Sequence, residues 1–244
     1  PEESAYIKQP SLAIDEGRVR YPHRLKDGRE ALEAVSLLRK VLAEQVDGSV
    51  VMVQVGFSTN LARLLETKSD AFSPLDGKSL VRRKERLLSV MAGSFSDKLA
   101  AKRYQEYNVK MDLSSAGKVF REWPTPVVAS GFEIGEAIEY TARSIEQDYA
   151  YVRFHPIAEA YRLYQKMPYD RPTWDLTSAL FAVRPSHGYF DLSVPGRIQV
   201  EPDGMTSFHP STDGPHRYLI VRPEQIVRAR EAMEILCSQP PGKM

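Results

Sequence analysis

The chain has 244 residues, 42% of them hydrophobic and 27% charged, with a formal net charge of +1. That length can bury one large core, and the balanced charge excludes the basic excess expected of a nucleic-acid partner. The lone Cys237 excludes an internal disulfide and a multi-cysteine metal centre, and no apolar run is long enough to span a bilayer. The start, Pro1-Glu2-Glu3-Ser4, has no Met and no signal-peptide pattern. It is expected to reflect processing or a partial chain, so the compartment stays open.

Residues 1–27 are polar, punctuated by proline, and read as an irregular lead-in. From Arg29, Leu32, Val35, Leu38, Val41 and Leu42 recur at helical spacing until Asp47-Gly48. Residues 50–55 form a short β-branched run that predicts a strand buried on both faces. Gly56 ends it, and Thr59 opens a helix, which makes a strand–turn–helix unit. A second strand is predicted at 86–90, with Met91-Ala92-Gly93 as its turn, and a third at 126–129. Asp112 is placed to cap the helix between them, which ends before Trp123-Pro124. Amphipathic stretches follow at 133–149, 156–166 and 174–183. Residues 189–194 and 197–200 are strand-like, with Pro195-Gly196 between them. Asp203-Gly204 marks a turn, residues 216–221 are strand-like, and Pro223 starts a last helix through Leu236. Alternation of strands and helices predicts a single α/β domain over 1–244. Its sheet is mostly parallel and open, flanked by helices, with a small antiparallel segment near the C-terminus.

In such sheets ligands bind beyond the C-terminal ends of the strands. The positions to inspect are therefore Gly56 to Asn60, Met91 to Gly93, Glu106 to Asn108, Gly131 to Glu133 and Trp174-Asp175. Each has a plainer reading. Thr59 or Asn60 suits a helix cap, Glu133 a helix start, Asp175 a cap and Trp174 a core aromatic. The five histidines, His23, His155, His187, His209 and His216, lack metal-ligand spacing and are expected on surfaces or loops. No Gly-rich phosphate loop is present.

Taken in order, these segments resemble the inosine–uridine-preferring nucleoside hydrolase family. Val55-Gly56-Phe57-Ser58-Thr59-Asn60-Leu61-Ala62 resembles its Gly-Pro-Leu-Thr-Asn-Leu-Ala segment. Met91-Ala92-Gly93 resembles its Met-Gly-Gly turn, and Glu106-Tyr107-Asn108 with Asp112 and Ala116 resembles its Glu-Phe-Asn and Asp-Pro-Glu-Ala-Ala run. Trp174-Asp175 stands where the family has His-Asp. The resemblance covers about residues 29 to 185.

It implies hydrolysis of the N-glycosidic bond of a ribonucleoside by a Ca²⁺-bound water, with an inactive nucleoside- or sugar-binding module of the same fold as the alternative. By the same resemblance, Asp175 and the carbonyl of Val55 bind Ca²⁺, Glu106 and Asn108 hold ribose hydroxyls, and Met91 lies close to the sugar. Trp174 is expected to line the pocket and stack on the base. The partner implied is a small-molecule nucleoside, with neither nucleic acid nor membrane; a homo-oligomer is left open. The family's N-terminal strand and Asp-rich motif have no counterpart, since Asp15, Glu16 and Asp27 lie in the polar lead-in. That motif is expected to lie outside this chain, and no residue here is assigned as the general base.

Overall fold

The computed structural model describes residues 4–25 and 27–240. The lead-in is not irregular. Helix α1 covers Ala5–Leu12, and β1 (Ile14–Asp15) and β2 (Arg18–Val19) pair antiparallel around a Glu16-Gly17 turn. Both turn residues have positive φ, 49° and 79°. The helix expected from Arg29 starts later: a 3-10 turn occupies Gly28–Glu30 and α2 is Ala34–Glu44. Then come β3 (Val50–Gln54), α3 (Thr59–Glu66), α4 (Gly77–Lys84) and β4 (Glu85–Met91). Helices α5 (Asp97–Ala101), α6 (Tyr107–Lys110) and α7 (Leu113–Glu122) lead to β5 (Val127–Ser130).

The stretch 133–149 is broken into α8 (Phe132–Ala137), β6 (Glu139–Tyr140) and α9 (Ala142–Gln147). Thr141 causes the second start, because its Oγ1 accepts from Ser144 N as an N-cap. Helix α10 (Pro156–Tyr164), β7 (Arg171–Pro172) and α11 (Trp174–Val183) follow. Strands β8 (Asp191–Leu192), β9 (Gly196–Val200), β10 (Thr206–Pro210) and β11 (His216–Ile220) precede α12 (Pro223–Ser238).

The residues group into two compact units. The smaller takes the described residues up to Ala31, Glu139–Pro172 and those from Arg230 on. It holds α1, α9, α10 and the β1–β2 and β6–β7 pairs. Tyr6 of α1 meets Tyr164 of α10 edge-on at 5.3 Å, and the buried hydroxyls of Tyr140 and Tyr149 satisfy each other at 2.9 Å.

The larger unit, Leu32–Ile138 with Thr173–Ala229, contains a seven-stranded sheet in the order β10-β9-β11-β5-β4-β3, with β8 on β11. Strands β3, β4, β5 and β11 run parallel to one another. Strands β8, β9 and β10 form the antiparallel part. The three predicted runs are thus adjacent strands. Strand β3, however, ends the row, so Val53 is 39% exposed rather than covered on both faces. Gly196 does not turn the chain but opens β9, where a Cβ would lie 2.3 Å from the Phe208 ring.

Helices cover both faces of the sheet. Leu88 and Val90 of β4 enter a buried cluster with Leu64, Leu80 and Val119. Ser89 between them points the other way and donates to the carbonyl of Ser178 on α11 at 2.9 Å. His216 is buried at 3% exposure, not on the surface as expected. Asp112 does stand before α7 but makes no capping bond; its Oδ2 accepts from Thr59 Oγ1 at 2.7 Å. Nor does Thr59 or Asn60 cap α3, since both are helical and Ser58 precedes them. Among the described residues no helix is long and apolar enough to cross a membrane.

Glu85, at the opposite end of β4 from its turn, is a buried acid. Trp123 Nε1 donates to its Oε1 at 3.4 Å, and its Oε2 has no partner among the described residues. Burial pushes its carboxyl up from 4.5 to about 8, against smaller lowerings by Trp123 and by the nearby Thr125 hydroxyl. The folded chain therefore holds one more proton than the unfolded chain between those values, and stability falls as pH rises through that window. Glu85→Gln is expected to flatten this fall, with a higher Tm than the parent at pH 8 by thermal melting. Parallel pH profiles for the two would show that Glu85 does not titrate in this window.

Candidate active site

The larger unit has a cavity of about 290 Å³ lined by nine residues. Val55, Met91, Glu106, Asn108, Trp174 and Asp175 are among them, so the structure brings together all six positions singled out in the sequence. Tyr104, Tyr107 and Phe132 complete the lining. Tyr107 and Phe132 fall within the inspected stretches, but as apolar neighbours of the polar candidates. Tyr104 carries no signal in the sequence.

The floor is set by the ends of β3 and β4. After β3, Gln54 Nε2 donates to Gly56 O at 3.0 Å and to Ser58 Oγ at 3.1 Å, which fixes the turn that carries Val55. After β4 the chain turns at Gly93, with φ of 80°, a conformation that favours glycine. Glu106 then binds this turn to α6. Its Oε1 accepts from Asn108 N at 2.8 Å, and its Oε2 from Val109 N at 3.1 Å and Gly93 N at 3.2 Å. It is therefore an N-cap as well as a cavity wall. Asn108 in turn gives its Nδ2–H to Met91 O at 3.2 Å and Sδ at 3.3 Å.

Glu106 is 3% exposed. Burial raises its pKa, the three backbone N–H bonds oppose that rise, and the charge of Asp175 adds to it. Asp175, in the first turn of α11, is exposed. The two acids are close enough to repel.

The remaining wall is α11. Its first turn is held by hydroxyls. Thr177 Oγ1 donates to Trp174 O at 2.5 Å, so Ser130 Oγ, at the end of β5, must be the donor in its 2.5 Å contact with Thr177 Oγ1. Thr173 adds a bond from its Oγ1 to Ile138 O at 2.8 Å. Trp174 then stacks on Phe132 with centroids 5.5 Å apart, and Phe132 meets Tyr104 at 4.5 Å. The three rings form one shelf. The indole Nε1–H of Trp174 is buried and has no acceptor among the described residues. Glu133 lies outside this lining; its Oε1 accepts from Phe95 N at 2.9 Å.

Calcium takes about six to eight oxygen ligands. The cavity offers the Asp175 carboxylate and the Val55 carbonyl, while the Glu106 oxygens already accept three backbone N–H groups. Among the described residues no group of three or more His, Cys, Asp or Glu is arranged to hold a metal. The residues present do not fit a calcium ion by themselves.

Gly135 of α8 faces the start of α11 so closely that a Cβ would lie 2.3 Å from Trp174 Cα. Gly135→Ala is expected to cost about 1–3 kcal/mol by overpacking and to shift the Trp174 fluorescence. Chemical denaturation measures the first effect; an unchanged midpoint would show that α8 and α11 separate freely.

Comparison with known proteins bears on this geometry. The sequence model described as "Inosine-uridine preferring nucleoside hydrolase" matches residues 11–226. No curated protein matches the chain at the sequence level. Solved structures share the fold. A plant nucleoside hydrolase is 16% identical with a TM-score of 0.60, over 88% of this chain and 70% of its own. A purine-preferring ribonucleoside hydrolase from Gardnerella vaginalis is 16% identical with a TM-score of 0.61, over 86% and 67%. An inosine-uridine preferring nucleoside hydrolase from Bacillus anthracis is 16% identical with a TM-score of 0.58, over 84% and 66%. The chain spans about two thirds of the length of these proteins.

Proposed function

The chain belongs to the inosine-uridine preferring nucleoside hydrolase family, and from that premise we propose that its cavity binds a ribonucleoside. The activity proposed for the protein is hydrolysis of the N-glycosidic bond. One observation supports this: an oxygen-bearing wall of Glu106, Asn108 and Asp175 meets an aromatic shelf in a single cavity. The volume lies near the lower end of ordinary ligand pockets.

In this reading the ribose lies over Met91, with its hydroxyls toward Glu106 and Asn108. A carboxylate accepts from a hydroxyl, and an amide can donate or accept. Burial of Glu106 favours its neutral form, which donates instead. The base lies on Trp174 and Phe132, where flat rings offer contact without demanding one hydrogen-bond pattern. Cleavage of the bond places positive charge on the sugar, and the negative charge that Glu106 and Asp175 carry when ionised would stabilise it. Trp174 has no proton to lend the departing base near neutral pH, so stacking is its contribution.

A second reading, nucleoside binding without turnover, is favoured by the scarcity of acids. Only Glu106 and Asp175 among the nine lining residues are carboxylates, and neither is left as a general base once Glu106 holds the sugar and Asp175 a cation. Residues 1–244 alone are therefore expected to bind inosine or uridine without releasing ribose, and to bind calcium weakly by calorimetry. Tight calcium binding together with turnover would show that another acid in this chain serves as base. Turnover seen only in a longer polypeptide, and lost in Asp175→Ala, would support the enzyme over the binding module.

Trp174→Ala is expected to weaken nucleoside binding by about 1–3 kcal/mol, the usual worth of one aromatic–base stack. Calorimetric affinity equal to that of the parent, in a variant with unchanged melting, would remove the base from this shelf.

A further inference from the structure

A second cavity of the larger unit, about 360 Å³, lies between α7 and β9. It is remote in topology from the nucleoside cavity. His216, in its wall, opens β11 and pairs in register with Val127, the first residue of β5. It therefore sits at the N-terminal ends of the parallel strands, whereas Met91 lies at a C-terminal end.

Three features of the lining point to one kind of ligand. The first is His216. It is 97% buried, being 3% exposed, and its Nδ1 accepts from Ile198 N at 2.8 Å. A ring that accepts at Nδ1 carries its proton at Nε2, and that N–H has no acceptor among the described residues. The second is a pair of guanidinium groups, Arg121 from α7 and Arg197 from β9. Their carboxylate partners are distant for charge-assisted bonds: Glu122 and Asp213 each approach at only 3.5 Å.

The third is Gly117, in the middle of α7. Glycine there costs about 1 kcal/mol relative to alanine, yet nothing in the packing requires it. Its φ is not positive, and a Cβ would meet only ordinary contacts, with Val200 Cβ at 3.9 Å and Arg121 Nη1 at 4.0 Å. What the missing side chain leaves is open space in the cavity.

We propose that this cavity is a binding site for a small oxyanion, a phosphate or phosphate monoester, held by Arg121 and Arg197 and by the Nε2–H of His216. Guanidinium forks match the oxygens of a phosphoryl group, and the imidazole adds a donor that stays neutral. Burial opposes protonation of His216, and the charge of Arg197 adds to that; a bound anion would offset the field of Arg197.

Inorganic phosphate is the probe. Phosphate titrated into the full chain at constant ionic strength should give saturable calorimetric binding and move the His216 ring resonances, with chloride giving neither. Arg121→Ala and Arg197→Ala, both on exposed side chains, should each weaken phosphate binding about tenfold, the worth of one charge-assisted hydrogen bond. Gly117→Leu should abolish it by filling the space. The proposal is overturned if phosphate does not saturate, if chloride reproduces the shifts, or if the two arginine variants bind as the parent does.

Discussion

One buried carboxylate organises the candidate active-site cavity. Glu106 accepts from the backbone at Gly93, Asn108 and Val109, and so joins the turn after β4 to the first turn of α6. Remove those acceptors and two buried N–H groups, at Gly93 and Val109, lose their partners at about 1–3 kcal/mol each, along with the half-buried N–H of Asn108. Asn108 would also lose the backbone position from which its amide reaches Met91. The same side chain is the deepest acid in the cavity. Its role in folding and its proposed role toward a sugar therefore compete for the same two oxygens. Each oxygen has two lone-pair directions; Oε2 spends both on Gly93 and Val109, so the second direction of Oε1 is what allows one group to do both.

The opposite wall depends on close approach rather than charge. Gly135 lets α8 touch the first residue of α11, and the Ser130–Thr177–Trp174 chain of hydroxyls ties that turn to the end of β5. These bonds share the covered sheet face with the buried Ser89–Ser178 bond, and each is satisfied within the protein. The result is that Trp174 and Asp175 are placed by the sheet itself and not by a loop.

Much of this was legible in the chain before folding. The runs at 50–55 and 126–129 are rich in valine, and 86–90 carries Leu87, Leu88 and Val90, because parallel strands are covered by helices; they became β3, β5 and β4. The edge position of β3 was not legible, since nothing in a single run says which neighbour is missing. Residues 5–12 hid a helix because it is short and contains Pro10. Asp112 and Thr59 each looked like caps; instead they bond to one another across 53 positions of sequence, a pairing only the tertiary structure creates. His216 reads as an ordinary polar residue until β9 supplies the N–H that allows its burial. In the cavity, the six positions carried by family resemblance converge, while Tyr104 enters through a ring contact with Phe132 that no local pattern encodes.

The aromatic shelf has a bearing on speed. Trp174 stacks on Phe132 at 5.5 Å, and Phe132 packs against Tyr104 at 4.5 Å. Neither ring waits for a guest to be set in place. A ligand arriving there does not have to order those side chains, which spares about 0.5–1.5 kcal/mol for each one already immobilised. Capture at this wall should accordingly follow the rhythm of diffusive encounter, and residence time, rather than rate of entry, is where differences between one ligand and another would register.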